Sequence, residues 1–216
     1  MRASSPTELS YDRFARFYDR LIPNRLYSRV LWGNDPVEYR AFARAAVADA
    51  EGPMLDAAAG TAVFTAEAYR AARRPITVAD LSEGMLAKAR ARLGDAPHIV
   101  FAQADATAPP FAPGSFDTVA CMSALHVFPD PLAALRGLWP LVAPGGRLFV
   151  SGLVAEHRVG RHYLRLLHRA GEAGPPLAET AARALVRDVT GTEPDGERLG
   201  SMLYLRSGRP RAGTSG

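Results

Sequence analysis

Three aspartates, Asp56, Asp80 and Asp105, stand at or just beyond the ends of three successive apolar runs that predict β-strands. In a doubly wound sheet the carboxyl ends of parallel strands meet at one edge, and ligands bind there. A carboxylate such as Asp80 can accept two hydrogen bonds from a ribose diol. The alternative for Asp80 is a charge that faces the N-terminus of a helix. Three carboxylates at one edge favour a ligand site.

A turn of small residues, Ala57-Ala58-Ala59-Gly60-Thr61-Ala62, follows the first predicted strand. Small residues let a ligand approach the backbone closely, and the amides of a following helix can bind an anion or a carboxylate. A tight turn beneath a packed helix also requires small residues, so the turn alone leaves both interpretations open.

The composition limits the classes of protein. The 216 residues are 48% hydrophobic and 22% charged, which fits one full-sized globular domain. The net charge is only +4, with Lys88 as the one lysine, so it does not indicate a nucleic-acid surface. Cys121 is the one cysteine, and no apolar run reaches the roughly 18 residues of a membrane span. We therefore expect a cytoplasmic protein with no nucleic-acid or membrane partner.

Strand and helix patterns alternate along the chain, which predicts an α/β fold with a parallel sheet covered on both faces. The predicted strands span residues 54–57, 76–79, 98–102, 116–122 and 147–153. The predicted helices span residues 11–22, 36–50, 61–72, 82–93, 131–142, 157–171 and 177–186. The segments 188–192 and 199–205, joined by Asp195-Gly196, predict a closing hairpin.

Several stretches together resemble the class I S-adenosylmethionine-dependent methyltransferases, and are most similar to the ubiquinone- and menaquinone-type small-molecule enzymes. The stretches are residues 11–19, 55–62, 79–86, 103–106, 110–111, 115–117, 123–130 and 141–148. The resemblance implies a Rossmann-like, doubly wound sheet of seven strands with a C-terminal antiparallel hairpin. It implies one domain over 1–206, with an N-terminal helical cap at about 8–50, a core at about 53–206 and a disordered tail at 207–216.

The same resemblance implies S-adenosylmethionine as cofactor and S-adenosylhomocysteine as product. Asp56 and the turn after it would hold the methionine part, Asp80 the ribose, and Asp105 the adenine edge. The residues implied to contact the cofactor are Tyr11, Tyr18, Asp56, Ala57, Ala58, Gly60, Asp80, Leu81, Met85, Asp105, Ala106 and Met122.

Two alanines depart from the family's pattern, because Ala58 and Ala62 stand where glycine is common. Each methyl group narrows the space for a ligand, and a positive φ would be strained in alanine. This departure keeps an alternative open, in which the fold binds the cofactor for a non-methylating reaction or as a non-catalytic partner.

His126 follows the fourth predicted strand and is the candidate general base, since a histidine with a near-neutral pKa suits proton transfer. The alternative is a core or capping histidine. His157, His162 and His168 do not share one helix face, so we expect no metal site.

The leading prediction is methyl transfer to an O or C atom of a small molecule by a monomer or homodimer. Leu164, Leu166, Leu167 and Leu177, with Trp32, Tyr39 and Phe42, could make the acceptor pocket apolar.

Overall fold

The computed structural model describes Arg29 and residues 32–211. The predicted helix at 11–22, with Tyr11 and Tyr18, lies outside this range. The strands are β1 (Met54–Ala57), β2 (Ile76–Asp80), β3 (Ile99–Gln103), β4 (Phe116–Cys121), β5 (Val142–Leu153), β6 (Asp195–Leu199) and β7 (Met202–Gly208). The helices are α1 (Pro36–Ala48), α2 (Ala66–Ala71), α3 (Glu83–Leu93), α4 (Pro131–Leu138), α5 (Arg158–Arg169) and α6 (Glu179–Thr190), and a 3-10 turn spans Trp139–Leu141.

The seven strands form one sheet in the order β3-β2-β1-β4-β5-β7-β6, and β7 runs antiparallel to both of its neighbours. The predicted Rossmann-like sheet with a C-terminal antiparallel hairpin is therefore confirmed. The order of strands reverses beside β1, which pairs with β2 on one side and β4 on the other. A crevice at the carboxyl ends of the strands is expected at such a reversal.

Both faces of the sheet are covered by helices, so the sheet is buried between two apolar layers. One layer packs α4 and α6 against the sheet, through residues such as Leu135 and Val186. The other packs α1, α2 and α3 against the opposite face, through residues such as Tyr69 and Leu86. A third, smaller cluster joins α1 and α5 to the ends of β5 and β7.

Local sequence signals explain where three of the helices begin. Asp35 caps α1 in a capping box with Glu38, and Pro36 occupies the first turn. The Ser82 side chain accepts a hydrogen bond from the Met85 amide at the start of α3. Asp130 caps α4 through the Ala133 amide.

The predicted closing hairpin is present, but its boundaries in the sequence-based prediction are wrong. Residues 188–190 continue α6, which ends where Gly191 takes a left-handed φ of 76°. Asp195 and Gly196 lie within β6, and the strands turn at residues 200–201. The helix continues until Gly191 can end it, whereas the sequence pattern predicted a strand from residue 188.

Two further boundaries differ from the prediction. The helix after β1 begins at Ala66 and not at residue 61, because residues 58–62 form a turn with three left-handed φ angles. Strand β7 extends to Gly208, so residues 207 and 208 do not belong to a tail. The Arg209 guanidinium then donates to the Pro140 and Val142 carbonyls, which ties the end of this strand to the start of β5.

Candidate active site

A cavity of 510 Å³ lies at the carboxyl ends of β1, β2 and β4, beside the reversal in strand order. Its size is that of a small-molecule site. The structure brings together ten of the residues predicted from the sequence, which line this cavity: Asp56, Ala58, Gly60, Asp80, Leu81, Met85, Asp105, Ala106, Met122 and His126. Ala57 does not line it, because its side chain is buried in the core beneath the sheet.

Asp80 connects the turn after β1 to the start of α3. One carboxylate oxygen, Oδ2, accepts a hydrogen bond of 2.8 Å from the Gly60 amide, and Oδ1 accepts one of 2.9 Å from the Ser82 amide. A carboxylate has about four acceptor positions, so these two bonds still permit it to accept from a diol. The side chain therefore both fixes the turn and presents negative charge to the cavity.

Asp56 is an ionisable group that is almost fully buried, beside the hydroxyl of Tyr69. Its side chain is 1% exposed, and neither carboxylate oxygen has a hydrogen bond of good geometry. Burial raises the pKa of Asp56 to about 7; the nearby Tyr69 hydroxyl opposes the shift, and the negative charge of Asp80 adds to it. A buried carboxylate is costly unless a partner compensates it, so this end of the cavity suits a cationic ligand group.

The backbone that lines the cavity is strained at three places. Ala58 and Ala62 have φ angles of 54°, and Ser123 has one of 57°. These are the three non-glycine residues with a positive φ in the described part of the chain, and all three line the cavity. Such strain costs about 1–3 kcal/mol per residue and concentrates at functional sites. The strain expected for alanine in this turn is therefore present.

The resemblance to the family places Ser123 near Met122 in the site, but the positive φ of Ser123 was not predicted from the sequence. Its amide donates a hydrogen bond of 2.8 Å to Oγ of Ser151, on the neighbouring strand. No pattern in the sequence distinguishes this serine, since the constraint comes from a residue 28 positions away.

The region predicted to hold the adenine is less buried. Leu81 is 42% exposed, whereas Met85 and Ala106 are buried. Oδ1 of Asp105 accepts hydrogen bonds from both the amide and the hydroxyl of Thr107, at 2.8 and 2.9 Å. This Asp105 turn shapes the wall of the cavity beyond β3.

The other end of the cavity is mostly apolar, with Asn34 and Glu172 as polar residues in the lining, and is built from distant parts of the chain. Trp32, Leu153, Tyr163, Leu167 and Met202 line it together. Tyr163 also contacts Trp32 edge-to-face, with ring centroids 5.2 Å apart.

The structure corrects part of the predicted acceptor pocket. Of the four leucines proposed to line it, Leu167 alone does. Leu164 is buried in the cluster between α1 and α5, Leu166 is 62% exposed, and Leu177 packs against the main core. Of the three aromatic residues proposed for the acceptor pocket, Trp32 and Tyr39 line the cavity, whereas Phe42 packs against Phe149.

His126 lines the cavity, but its environment differs from the one expected of a base. Its Nδ1 accepts a hydrogen bond of 3.3 Å from the Leu153 amide. Burial lowers the pKa of His126 to about 4, well below the near-neutral pKa that the base assignment assumed. Because Nδ1 accepts, the ring proton is on Nε2, and the neutral ring is a hydrogen-bond donor.

Neither a cysteine nucleophile nor a metal centre is indicated by the described residues of this region. Burial raises the pKa of the Cys121 thiol, which keeps it protonated and unreactive. Within residues 32–211 and Arg29, no group of three His, Cys, Asp or Glu side chains is arranged to hold a metal ion. No helix in the same part of the chain is both long enough and apolar enough to cross a membrane.

Comparison with known proteins assigns a family to the central part of the chain. Residues 55–150 match the model of a family described as "Methyltransferase domain", which spans β1 to β5 and most of the residues that line the cavity. This part of the chain is therefore similar to a methyltransferase domain. Among similar proteins, a demethylmenaquinone methyltransferase of Clavibacter sepedonicus is 37% identical over 140 residues, which cover 65% of this chain and 55% of that protein.

Solved structures share the fold of this chain over nearly its whole length. An O-methyltransferase family protein from Burkholderia thailandensis matches 94% of this chain and 60% of its own with a TM-score of 0.71, at 18% identity. A possible histamine N-methyltransferase from Thermotoga maritima matches 95% of this chain and all of its own with a TM-score of 0.68, also at 18% identity. The chain spans about half the length of the curated relatives it matches.

Proposed function

We propose that this protein transfers a methyl group from S-adenosylmethionine to a ring carbon or oxygen of a small quinol-type molecule. The observation that carries the proposal is the division of one cavity into a carboxylate-lined end and an apolar end. A cationic cofactor suits the first end and an apolar aromatic acceptor the second. The relatives named as demethylmenaquinone methyltransferases support this class of acceptor.

The residues at the carboxylate end fit the cofactor. The buried Asp56 carboxylate would compensate the ammonium group of its methionine part, and Asp80 would accept from its ribose hydroxyls. Leu81 and Met85 offer apolar surface for the adenine. When bound, S-adenosylmethionine supplies an electrophilic methyl group on a sulfonium. The chain then needs mainly to position the acceptor and exclude water.

His126 would position the acceptor as a hydrogen-bond donor. With Nδ1 held by the Leu153 amide, Nε2–H can donate to an acceptor oxygen. We expect His126→Ala to lower kcat/KM about 10-fold to 100-fold and to leave cofactor affinity unchanged, with partial rescue in His126→Gln, which retains an N–H donor. Because burial holds the pKa of His126 near 4, kcat should show no inflection from this group between pH 5.5 and 8. An inflection there that disappears in His126→Gln would restore the role of base.

The deciding experiment combines binding and turnover. Calorimetry with S-adenosylmethionine and S-adenosylhomocysteine tests the carboxylate end, and formation of S-adenosylhomocysteine with a soluble 1,4-naphthoquinol lacking the 2-methyl group tests the reaction. Micromolar binding with turnover supports the proposal. Absence of binding would mean that the Ala58 and Ala62 methyl groups close the turn, and binding without turnover on any quinol would favour the non-methylating alternative.

A further inference from the structure

The outer face of α5 carries a stripe of basic side chains. Arg158, His162, Arg165 and Arg169 follow one another at helical spacing, and all four are exposed. The helix contains no acidic residue. None of the three guanidiniums forms an ion pair with a carboxylate in the described part of the chain. Their charge is therefore directed to solvent.

An apolar edge lies directly beside this basic stripe. Leu166 is 62% exposed and Val159 is 49% exposed, which places both among the few large apolar side chains left open to solvent in the described residues. They are seven residues apart, and at about 100° per residue they lie on the same edge of α5. A charged row flanked by exposed aliphatic side chains is typical of a helix that lies in a membrane interface.

The next arc of the same helix reaches the cavity. Tyr163 and Leu167 line the apolar end of the cavity, and Leu164 is buried beneath the helix. Around the helix, the basic side chains are therefore followed by the exposed apolar side chains, and these are followed by the side chains that line the cavity. The exposed apolar edge adjoins the wall of the predicted acceptor pocket.

We propose that the outer face of α5 docks on an anionic lipid bilayer, with its arginines at the headgroups and Val159 and Leu166 in the interface. Such docking departs from the expectation, drawn from the sequence, that the protein has no membrane partner. Charge complementarity selects the partner, because three unpaired guanidiniums on one face attract an anionic surface. A bilayer is favoured over an acidic protein because the apolar edge leads into an apolar cavity. The further consequence, that a lipid-soluble acceptor enters beside this helix, rests on the proposed function.

Sedimentation with vesicles tests the docking on the full chain. We expect binding to vesicles of phosphatidylglycerol mixed with phosphatidylcholine, weakening as salt is added, and little binding to phosphatidylcholine alone. Arg165→Ser should weaken binding about fivefold, and the combined Arg158, Arg165 and Arg169 substitutions to Ser about 100-fold. Val159→Ser should weaken it severalfold.

Two exposed residues elsewhere on the molecule serve as matched controls. Arg136 on α4 carries the same charge, and Val100 on the edge strand β3 is 57% exposed. Arg136→Ser and Val100→Ser should each change vesicle binding less than twofold. Equal losses in the controls, or no binding to the anionic vesicles at low salt, would overturn the proposal.

Folding and the proposed function are tested separately. Far-ultraviolet circular dichroism and calorimetry with S-adenosylmethionine should be the same for the α5 variants and the unaltered protein. Failure of cofactor binding in the unaltered protein would contradict the proposed function and leave the docking result intact. If α5 variants reduced turnover while the unaltered protein bound no vesicles, the docking proposal would fail, and α5 would act on the reaction without a membrane.

Discussion

The two ends of the cavity are built in different ways. The carboxylate end comes from β1, β2 and the turns that follow them, and its key contacts join Asp80 to Gly60 and Ser82. The apolar end comes from α1, α5 and the ends of β5 and β7, which are spread from Trp32 to Met202. Because the two ends come from different elements, substitutions should be able to alter one end without altering the other.

The largest expected effect is at the carboxylate end. Asp80→Ala should lower affinity for S-adenosylmethionine at least about 100-fold, because it removes a charged acceptor and leaves the Gly60 and Ser82 amides unpaired. Calorimetry measures the loss, and Asp49→Ala, which removes a carboxylate that pairs with Arg147 and does not line the cavity, should change affinity less than threefold. Unchanged affinity in a folded Asp80→Ala protein would show that the cofactor binds elsewhere.

A smaller and complementary effect is expected at the apolar end. Leu167→Asn places an unpaired amide in an apolar wall and should raise KM for a quinol acceptor about 30-fold. Affinity for the cofactor should stay within twofold of the unaltered value. Steady-state kinetics with calorimetry measure both, and a joint loss of cofactor affinity would mean that the two ends are not independent.

The third effect is a pH dependence that belongs to Asp56. With its pKa near 7, the ionised fraction rises about tenfold between pH 6 and pH 8, so affinity for the cationic cofactor should rise about tenfold over that range. Calorimetry across pH measures it, and Asp56→Asn should abolish the dependence. A pH-independent affinity in the unaltered protein would remove Asp56 from the binding of the ammonium group.

The raised pKa of Asp56 also determines whether the protein becomes more or less stable as the pH rises. Its folded pKa of about 7 lies above the unfolded value of 3.8, so the native state retains a proton that the unfolded state has lost. The free energy of unfolding should therefore fall as pH rises from about 4 to 7 and stay low above 7. Urea unfolding of the empty protein at pH 8 should show Asp56→Asn to be more stable than the unaltered protein.

The smallest effect concerns the strained turn. Ala58→Gly should raise the free energy of unfolding by about 1 kcal/mol, because glycine accepts the φ of 54° without strain. The neighbouring Ala59 has no left-handed φ, so Ala59→Gly should instead lower stability by about 0.5–1 kcal/mol. Urea unfolding measures both changes. Equal losses in the two variants would show that Ala58 carries no strain.

Much of the carboxylate end could be predicted from sequence because its determinants are local. The helix predicted over 82–93 is α3, which begins directly after its cap Ser82, and Asp80 ends β2 with its carboxylate at the sheet edge. The alternation of strand and helix is also local, and it predicted the parallel part of the sheet. The positive φ of Ala58 and Ala62 could be anticipated as a risk, since the turn type favours glycine there.

The apolar end and the chemistry of the buried groups were decided by the tertiary structure. Which leucine of α5 faces the cavity depends on how the helix rotates against β5 and β7, and Leu167, not Leu164 or Leu166, is the one. The pKa values of Asp56 and His126 depend on burial by residues distant in sequence, which no local pattern encodes. The sequence determined the elements and the residues at the strand ends because propensity, capping and turn chemistry act over a few residues. Packing decided the acceptor wall, the protonation of the site and the basic face of α5, because burial and exposure are properties of the assembled molecule.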